Sequence, residues 1–247
     1  MLKGAKRRAE KLKVPGGDVL TSGGEAGACY SFRVDELLDV LDVLGRPTGE
    51  VVWKSEAHRR GLFHRCFHCW VAGDDAGGPY LLVQRRAAAK DTWPGCLDVT
   101  AAGHLQSGEE SMRGGLRELE EEVGLRVEPG RLVPLGTRRI EQEIPQGCDR
   151  EFHDVFLLLD GTPPQDLRLQ EGEVEAVLRI ELRDVEALGA GVPAREYARG
   201  EVSDTRVSLS DFVPNEDDYL RRVAGAARRL LAGEDLGRIF YSASRND

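Results

Sequence analysis

The chain has 247 residues, of which 40% are hydrophobic, and its formal net charge is −9. This length suits one domain with a sizeable core, or one domain with extensions. The negative charge argues against general nucleic-acid binding, and no run of eighteen apolar residues predicts a transmembrane helix. We therefore expect neither a nucleic-acid partner nor a membrane partner.

The N-terminal residues differ in composition from the rest. Residues 1–13 carry six Lys or Arg against one acid, Glu10, and residues 15–27 are rich in glycine. No apolar signal-peptide core is present. We interpret residues 1–34 as a flexible basic and Gly-rich extension, with the remnant of a transit sequence as the alternative. Residues 35–247 would then form the main domain, including a C-terminal helical extension.

The five cysteines are an odd number, and no secretory signal accompanies them. This combination is typical of reduced intracellular thiols. We expect a cytoplasmic protein, or one in a plastid or other organelle after loss of a transit peptide.

Apolar runs bounded by turn residues predict strands, in chain order, over residues 37–44, 49–53, 66–72, 80–85, 97–101, 131–143, 151–159 and 173–180. Helices are predicted near 182–188 and over 217–232. Cys66 and Cys69 form a CxxC inside the third strand, where residues three apart face opposite sides and do not converge on zinc. Strands with flanking helices indicate a mixed α/β sandwich.

A further helix is predicted inside residues 103–125, GHLQSGEESMRGGLRELEEEVGL. Ser107 and Glu110 have the spacing of a capping box, and Gly124 is the expected C-terminal stop. At about 100° per residue, an apolar stripe forms on one side and three acids cluster on the opposite side. The stripe consists of Met112, Leu116, Leu119 and Val123, and the acids are Glu118, Glu121 and Glu122.

This composition is unfavourable for a purely structural helix. Like charges at i,i+4 destabilise a helix by roughly 0.2–0.5 kcal/mol per pair. Gly114 and Gly115 each cost about 1 kcal/mol relative to alanine. A divalent cation would resolve the repulsion, because carboxylate oxygens suit Mg²⁺ or Mn²⁺. The alternative is a solvated acidic face.

The same segment fills every fixed position of Gx5Ex7REUxEExGU, where U is apolar, and so resembles the Nudix hydrolases. The resemblance implies an α/β/α sandwich with a mixed β-sheet. It also implies that Glu118, Glu121 and Glu122 hold metals or activate water, that Arg117 orients a glutamate, and that the Gly103 carbonyl is a further ligand. Bound Mg²⁺ or Mn²⁺ would neutralise phosphate charge and lower the pKa of water, and a glutamate would take the proton. The expected reaction is hydrolysis of a nucleoside diphosphate derivative or another small organic diphosphate.

Several further blocks, between about residue 37 and residue 188, resemble the isopentenyl-diphosphate-isomerase-like branch of this superfamily. They are residues 39–49, 58–70, 84–86, 90–95, 151–156 and 169–174. Isomerases of this branch use a cysteine immediately before the Gly-His that opens the box region, but Ala102 occupies that position here. They also typically have a degraded box, whereas this one is intact. Both departures favour hydrolysis over isomerisation.

The branch resemblance implies a metal held by histidines and glutamates, for which His58, His64, His104 and Glu151 are the candidates. The alternative for each histidine, and for His68 and His153, is an ordinary hydrogen-bonded imidazole. Glu151 is a candidate ligand or base, and Glu141 and Glu143 are its rivals.

Arg85, Arg86 and Lys90 are candidate phosphate contacts, because arginine forks match phosphate oxygens. Their alternative role is a solvated turn. A non-catalytic Nudix-fold sensor is a further alternative, which the intact set of three box glutamates opposes. The organic group of the substrate is left open, and so is a homodimer, which is common in the superfamily.

Overall fold

The computed structural model describes residues 35–215 and 218–241, so the predicted extension over residues 1–34 lies outside the described residues. The described strands are β1 (Leu37–Leu41), β2 (Pro47–Trp53), β3 (Phe63–Asp75), β4 (Gly78–Arg86), β5 (Leu97–Asp98), β6 (Ala101–His104), β7 (Leu132–Ile144), β8 (Gly147–Leu159), β9 (Val174–Glu181), β10 (Val192–Ala198) and β11 (Glu201–Val207). The α-helices are α1 (Lys54–Arg60), α2 (Ser111–Val123) and α3 (Tyr219–Leu231). A 3-10 segment spans Leu182–Ala190.

The described strands form one mixed sheet in which β3 is central. Strand β3 pairs in parallel with β8 over ten residues, and antiparallel with β6 and then β4. The path through the sheet runs β11-β10-β9-β4-β3-β1-β2, and β7 adds to the free side of β8. Because successive side chains of a strand alternate between faces, His64, Cys66, His68 and Trp70 of β3 share one face.

The two faces of the sheet carry separate apolar cores. Phe67, Cys69 and Val71 of β3 pack with Leu119 and Val123 of α2. On the other face, Trp70 and Ala72 belong to the core that includes the buried residues of α3 and of the 3-10 segment. A helix on each face of a mixed sheet is the predicted α/β/α sandwich.

Most predicted elements are confirmed within a few residues. The 49–53 strand begins earlier, at Pro47, and the 217–232 helix begins at Tyr219. The predicted 97–101 strand is divided into β5 and β6, and the predicted 182–188 helix is a 3-10 segment. Helix α1 and the hairpin β10–β11 were not predicted. The hairpin carries many exposed polar side chains, so it lacks the apolar run from which the other strands were predicted. Among the described residues, none of the helices combines the length and apolar character that a membrane span requires.

The predicted capping box at the start of α2 is wrong. The helix begins at Ser111, and its N-cap residue Glu110 makes no side-chain capping bond. The hydroxyl of Ser107 instead donates to Asp39 Oδ1 at 2.7 Å, which ties this loop to β1. The predicted end is confirmed, since Gly124 adopts φ 76° and its N–H bonds to the carbonyls of Glu120 and Leu119.

Gly114 and Gly115 have a packing role that the sequence argument missed. A Cβ on Gly115 would lie 2.0 Å from the ring of Phe67, and one on Gly114 would lie 2.5 Å from Leu105 Cδ2. The two glycines therefore let α2 approach the sheet closely. Close packing against the sheet explains why α2 contains glycines in spite of their low helix propensity. The two glycines are therefore not independent evidence for a cation.

Candidate functional site

The box acids divide into two buried carboxyls and one exposed carboxyl. Glu118 and Glu122 are buried, whereas the side chain of Glu121 is 47% exposed. Glu122 Oε2 accepts the backbone N–H of Ala102 at 2.9 Å and the Gln84 amide at 3.1 Å. The expectation of three acids gathered on the outer side of α2 is therefore corrected, because two of them turn inward against β6.

Arg117 joins the box acids to one another. Its Nη1 donates to Glu118 Oε1 at 2.7 Å and to Glu121 Oε2 at 3.1 Å. Its Nε and Nη2 donate to the two oxygens of Glu109 at 3.2 and 3.0 Å. This is the geometry of an arginine that orients a glutamate. Glu109, which anchors the arginine, was not predicted; it fills the first fixed glutamate position of the box pattern.

Gly103 is required for the approach of Glu118 to the sheet. A Cβ at Gly103 would lie 2.0 Å from the carboxyl carbon of Glu118. The backbone of β6 therefore contacts the carboxylate directly. The carbonyl oxygen of Gly103 accepts the thiol of Cys66 at 3.1 Å.

Burial makes the two inner carboxyls weak acids in the cation-free protein. Burial and the nearby charge of Glu122 raise the pKa of Glu118 to about 8, against the opposing charge of Arg117. Burial raises the pKa of Glu122 to about 7, against Lys90 and the Ala102 N–H. Two buried carboxyls with raised pKa values are suited to release their protons to a bound cation.

A second cluster gathers three of the predicted histidines and Glu151. One ligand atom from each of His58, His64, His104 and Glu151 lies within 4.8 Å of the others. Glu151 Oε1 is 3.0 Å from His104 Nε2 and 3.3 Å from His64 Nε2. These residues come from α1, β3, β6 and β8, so the pairing of strands distant in sequence creates the cluster.

The cluster has the features of a cation site. The Nε2 atoms of His58, His64 and His104 are buried and, among the described residues, none is aligned for a hydrogen bond despite the short distances. His64 Nδ1 lies 2.9 Å from the carbonyl of Leu62. Because a carbonyl only accepts, Nδ1 carries the proton and the Nε2 lone pair of the neutral ring faces the cluster. Converging imidazole and carboxylate lone pairs fit a divalent transition metal.

Asp149 belongs to this cluster but was not predicted. Its Oδ1 lies 3.5 Å from His58 Nε2 and 3.7 Å from His64 Nε2. Burial, together with the charge of Glu151, raises the pKa of Asp149 to about 7. A sequence signal was available, since Asp149 is two residues before Glu151 and so shares its face of β8. The rivals Glu141 and Glu143 are exposed on the β7–β8 hairpin.

The three predicted phosphate contacts are all engaged in ion pairs. Arg85 forms a bidentate pair with Glu196 of β10, Arg86 pairs with Asp98, and Lys90 pairs with Glu173. Lys90 and Arg86 lower the pKa of Glu122, and Arg86 also lowers that of Asp149, against the dominant effect of burial. The charge of Arg86 thus affects a carboxyl in each cluster. Arg85 instead pairs with the β10–β11 hairpin through Glu196.

Ala102 occupies the position at which isomerases of the similar branch have a cysteine. Ala102 on β6 pairs directly with His68 on β3, and the His68 ring stacks on His153 with centroids 3.8 Å apart. Burial and the charge of His153 hold the pKa of His68 well below its usual value. The chain therefore has no thiol at residue 102, and the adjacent space is filled by the stacked imidazole rings.

Comparisons with known proteins agree with this architecture. The NUDIX domain family model matches residues 62–202, more than half of the chain. The chain is 33% identical over 201 residues to an uncharacterized Nudix hydrolase of Clostridium acetobutylicum, covering 78% of this chain and 97% of the relative. The chain belongs to the Nudix family, and it is a Nudix hydrolase.

Other relatives are matched over shorter spans. Nudix hydrolase 3 of Arabidopsis thaliana is 35% identical over 147 residues. The match covers 58% of this chain but only 19% of the Arabidopsis protein. An isopentenyl-diphosphate Delta-isomerase of Corynebacterium diphtheriae is 37% identical over 36% of this chain and 48% of its own length. A Deinococcus radiodurans crystal structure is 18% identical with a TM-score of 0.47, covering 78% of this chain and 98% of that one.

Proposed function

We propose that this protein is a Mg²⁺- or Mn²⁺-dependent hydrolase that cleaves the diphosphate linkage of a nucleoside diphosphate derivative or another small organic diphosphate. The observation that carries the proposal is the convergence of Glu118 and Glu122 on β6, beside the Gly103 backbone. The box therefore has both its full pattern and a buried acidic site in contact with the sheet.

Each residue of the box has a distinct role in this proposal. Glu118 and Glu122 would hold the cation once deprotonated, and Arg117 keeps Glu118 oriented. Glu121 is solvent-accessible, so it is the carboxylate placed to take a proton from an entering water. The cation, when bound, neutralises the phosphate oxygens and lowers the pKa of the attacking water. Arg86 and Lys90 exchange their carboxylate partners for phosphate oxygens when the substrate enters.

We further propose that the histidine cluster holds a second cation. Its donors are three imidazoles and Glu151, with Asp149 beside them. Imidazole ligands favour transition metals such as Mn²⁺ over Mg²⁺. The charge of Arg86 reaches both clusters, so a diphosphate bound at Arg86 would lie within the influence of both cations.

The test is a panel of organic diphosphates assayed with Mg²⁺ and with Mn²⁺ on the full chain and on matched variants. Glu122→Gln should lower the hydrolysis rate by at least about a hundredfold, since a neutral amide cannot replace a buried anionic ligand. Glu120→Gln is the control, because Glu120 lies on the same helix and pairs with Arg126. Equal rates for these two variants would refute the assignment of the box.

The same panel tests isomerisation, the second candidate, which the histidine cluster and the isomerase relatives favour. Isopentenyl diphosphate is incubated with the protein, and the products are followed by proton and phosphorus NMR. We expect no dimethylallyl diphosphate, because the methyl side chain of Ala102 carries no exchangeable proton. Accumulation of dimethylallyl diphosphate without phosphate release would replace hydrolysis by isomerisation as the proposed activity.

A further inference from the structure

The two carboxylate oxygens of Glu151 face different partners. Oε1 faces the histidine cluster, at 3.0 Å from His104 Nε2 and 3.3 Å from His64 Nε2. Oε2 lies 2.5 Å from Nε2 of His153. His153 is itself buried, at 4% exposure. The cluster and His153 thus each take one oxygen of the same carboxylate.

The position of the ring proton on His153 follows from its other neighbour. Its Nδ1 lies 3.3 Å from Nη1 of Arg138. A guanidinium has only N–H donors and does not lose its proton in proteins, so Nδ1 must be the acceptor. Nε2 of His153 therefore carries a ring proton, which it donates to Glu151 Oε2. Arg138 in this way selects the tautomer that binds the carboxylate.

Arg138 is fixed in turn by its own contacts. Its guanidinium lies 3.9 Å over the ring of Tyr219, the first residue of α3, and its Nη2 donates to Asn215 Oδ1 at 3.1 Å. The Tyr219 hydroxyl accepts the indole N–H of Trp70 at 2.9 Å. A continuous set of contacts therefore runs from α3 through Arg138 and His153 to Glu151.

We propose that His153 is a positioning residue that holds Oε2 of Glu151, so that Oε1 stays directed at His58, His64 and His104 for cation binding. Arg138 supports this role by fixing the His153 tautomer. The proposal rests on the proposed second cation at the histidine cluster. Partners that orient metal ligands typically contribute about 10- to 100-fold to metal affinity, and a freely rotating Glu151 would lose that contribution.

Two amide substitutions separate positioning from simple packing. The amide nitrogen of His153→Gln can reach the place of Nε2 and donate to Glu151. The shorter side chain of His153→Asn reaches only the place of Nδ1, near Arg138. Both variants bury one amide at the same site, so they differ mainly in which nitrogen of the imidazole they replace.

The measurement is a Co²⁺ titration of the full chain, followed by calorimetry and by the visible absorption of bound Co²⁺. All proteins carry Glu118→Gln and Glu122→Gln, so that the box site does not contribute. We expect His153→Gln to bind Co²⁺ within about threefold of the background, and His153→Asn to bind about 10- to 100-fold more weakly with an altered spectrum. Thermal melting shows whether each variant is folded.

The outcomes distinguish a failure of the cation site from a failure of the positioning role. If the background protein binds no Co²⁺, the histidine cluster is not a cation site, and the role of His153 fails with it. If the background binds Co²⁺ but the Gln and Asn variants bind equally tightly or equally weakly, the cluster stands and the positioning role is overturned. An unfolded Asn variant beside a folded Gln variant would also overturn it, because His153 would then be a packing residue.

Discussion

The box carboxylates show what a helical repeat predicts about single residues and what it does not. On the 100° repeat, Glu121 lies about 170° from the apolar stripe, whereas Glu122 lies only about 90° from it. A residue at 90° lies at the edge of the packed face. Pattern reasoning grouped the three acids, although the structure buries Glu118 and Glu122 and exposes Glu121. The burial of Glu118 and Glu122, and therefore their raised pKa values, depends on contacts with strand β6. A helical repeat contains no information about those contacts.

At this scale we predict that Gly103→Ala disables the cation site of the box. The new Cβ would meet the Glu118 carboxyl carbon at 2.0 Å, so the carboxylate must move. We expect cation affinity and the rate of hydrolysis to fall by at least about tenfold, as for other losses of ligand orientation. Calorimetry with Mn²⁺ and a phosphate-release assay measure the two effects.

Gly130→Ala is the matched control, because a Cβ there meets nothing within 4 Å and the residue does not need a positive φ. If the two alanine variants bound Mn²⁺ equally well, close contact between Gly103 and Glu118 would not be necessary for the site.

At the scale of elements, the sequence predicted most strands because apolar runs mark them directly. It did not predict α1, a seven-residue helix that supplies His58, because two turns are too short for a clear apolar repeat. The histidine cluster also depends on the register of β3 with β8, which pairs His64 with Glu151. That register is set by contacts between residues about ninety positions apart, so no local pattern could have shown that His64 lies beside Glu151.

Helix glycines give a prediction at the element scale. Gly115→Ala should destabilise the protein, since its Cβ would lie 2.0 Å from the Phe67 ring and overpacking typically costs about 1–3 kcal/mol. Gly225→Ala in α3 meets nothing within 4 Å, so it should stabilise by up to about 1 kcal/mol through helix propensity. Urea unfolding of both variants measures the difference. Equal destabilisation would show that α2 does not need glycine for its approach to β3.

At the scale of the whole molecule, two groups of buried ionisable residues link stability to pH and to cations. The folded pKa values of Glu118 and Glu122 are raised from 4.5 to about 8 and about 7. A raised folded pKa means that the stability of the cation-free protein, present at low pH, is lost as pH rises through that value. His58 acts in the opposite sense, because burial lowers its pKa to about 4, so its effect is confined below its usual pKa of 6.5.

Between pH 6.5 and pH 8 we therefore expect the melting temperature of the cation-free protein to fall. Added Mn²⁺ should raise the melting temperature more at pH 8 than at pH 6.5, since fewer protons must then be displaced. Differential scanning fluorimetry with and without chelator measures both trends. In Glu118→Gln/Glu122→Gln the fall should be smaller. The remainder comes from Asp149, whose pKa burial raises to about 7, and from His64, whose pKa Glu151 and Asp149 raise against the effect of burial. A pH-independent response to Mn²⁺ would contradict this linkage.

Strand β6 limits how far the two clusters can move apart when the sequence changes. Three consecutive residues serve both clusters: the Ala102 N–H binds Glu122, Gly103 contacts Glu118, and His104 reaches Glu151. Successive Cα atoms are about 3.8 Å apart across a trans peptide, so covalent geometry itself sets the span between the two centres. Loops at the rim can lengthen or change composition, while the distance between the two clusters stays constant.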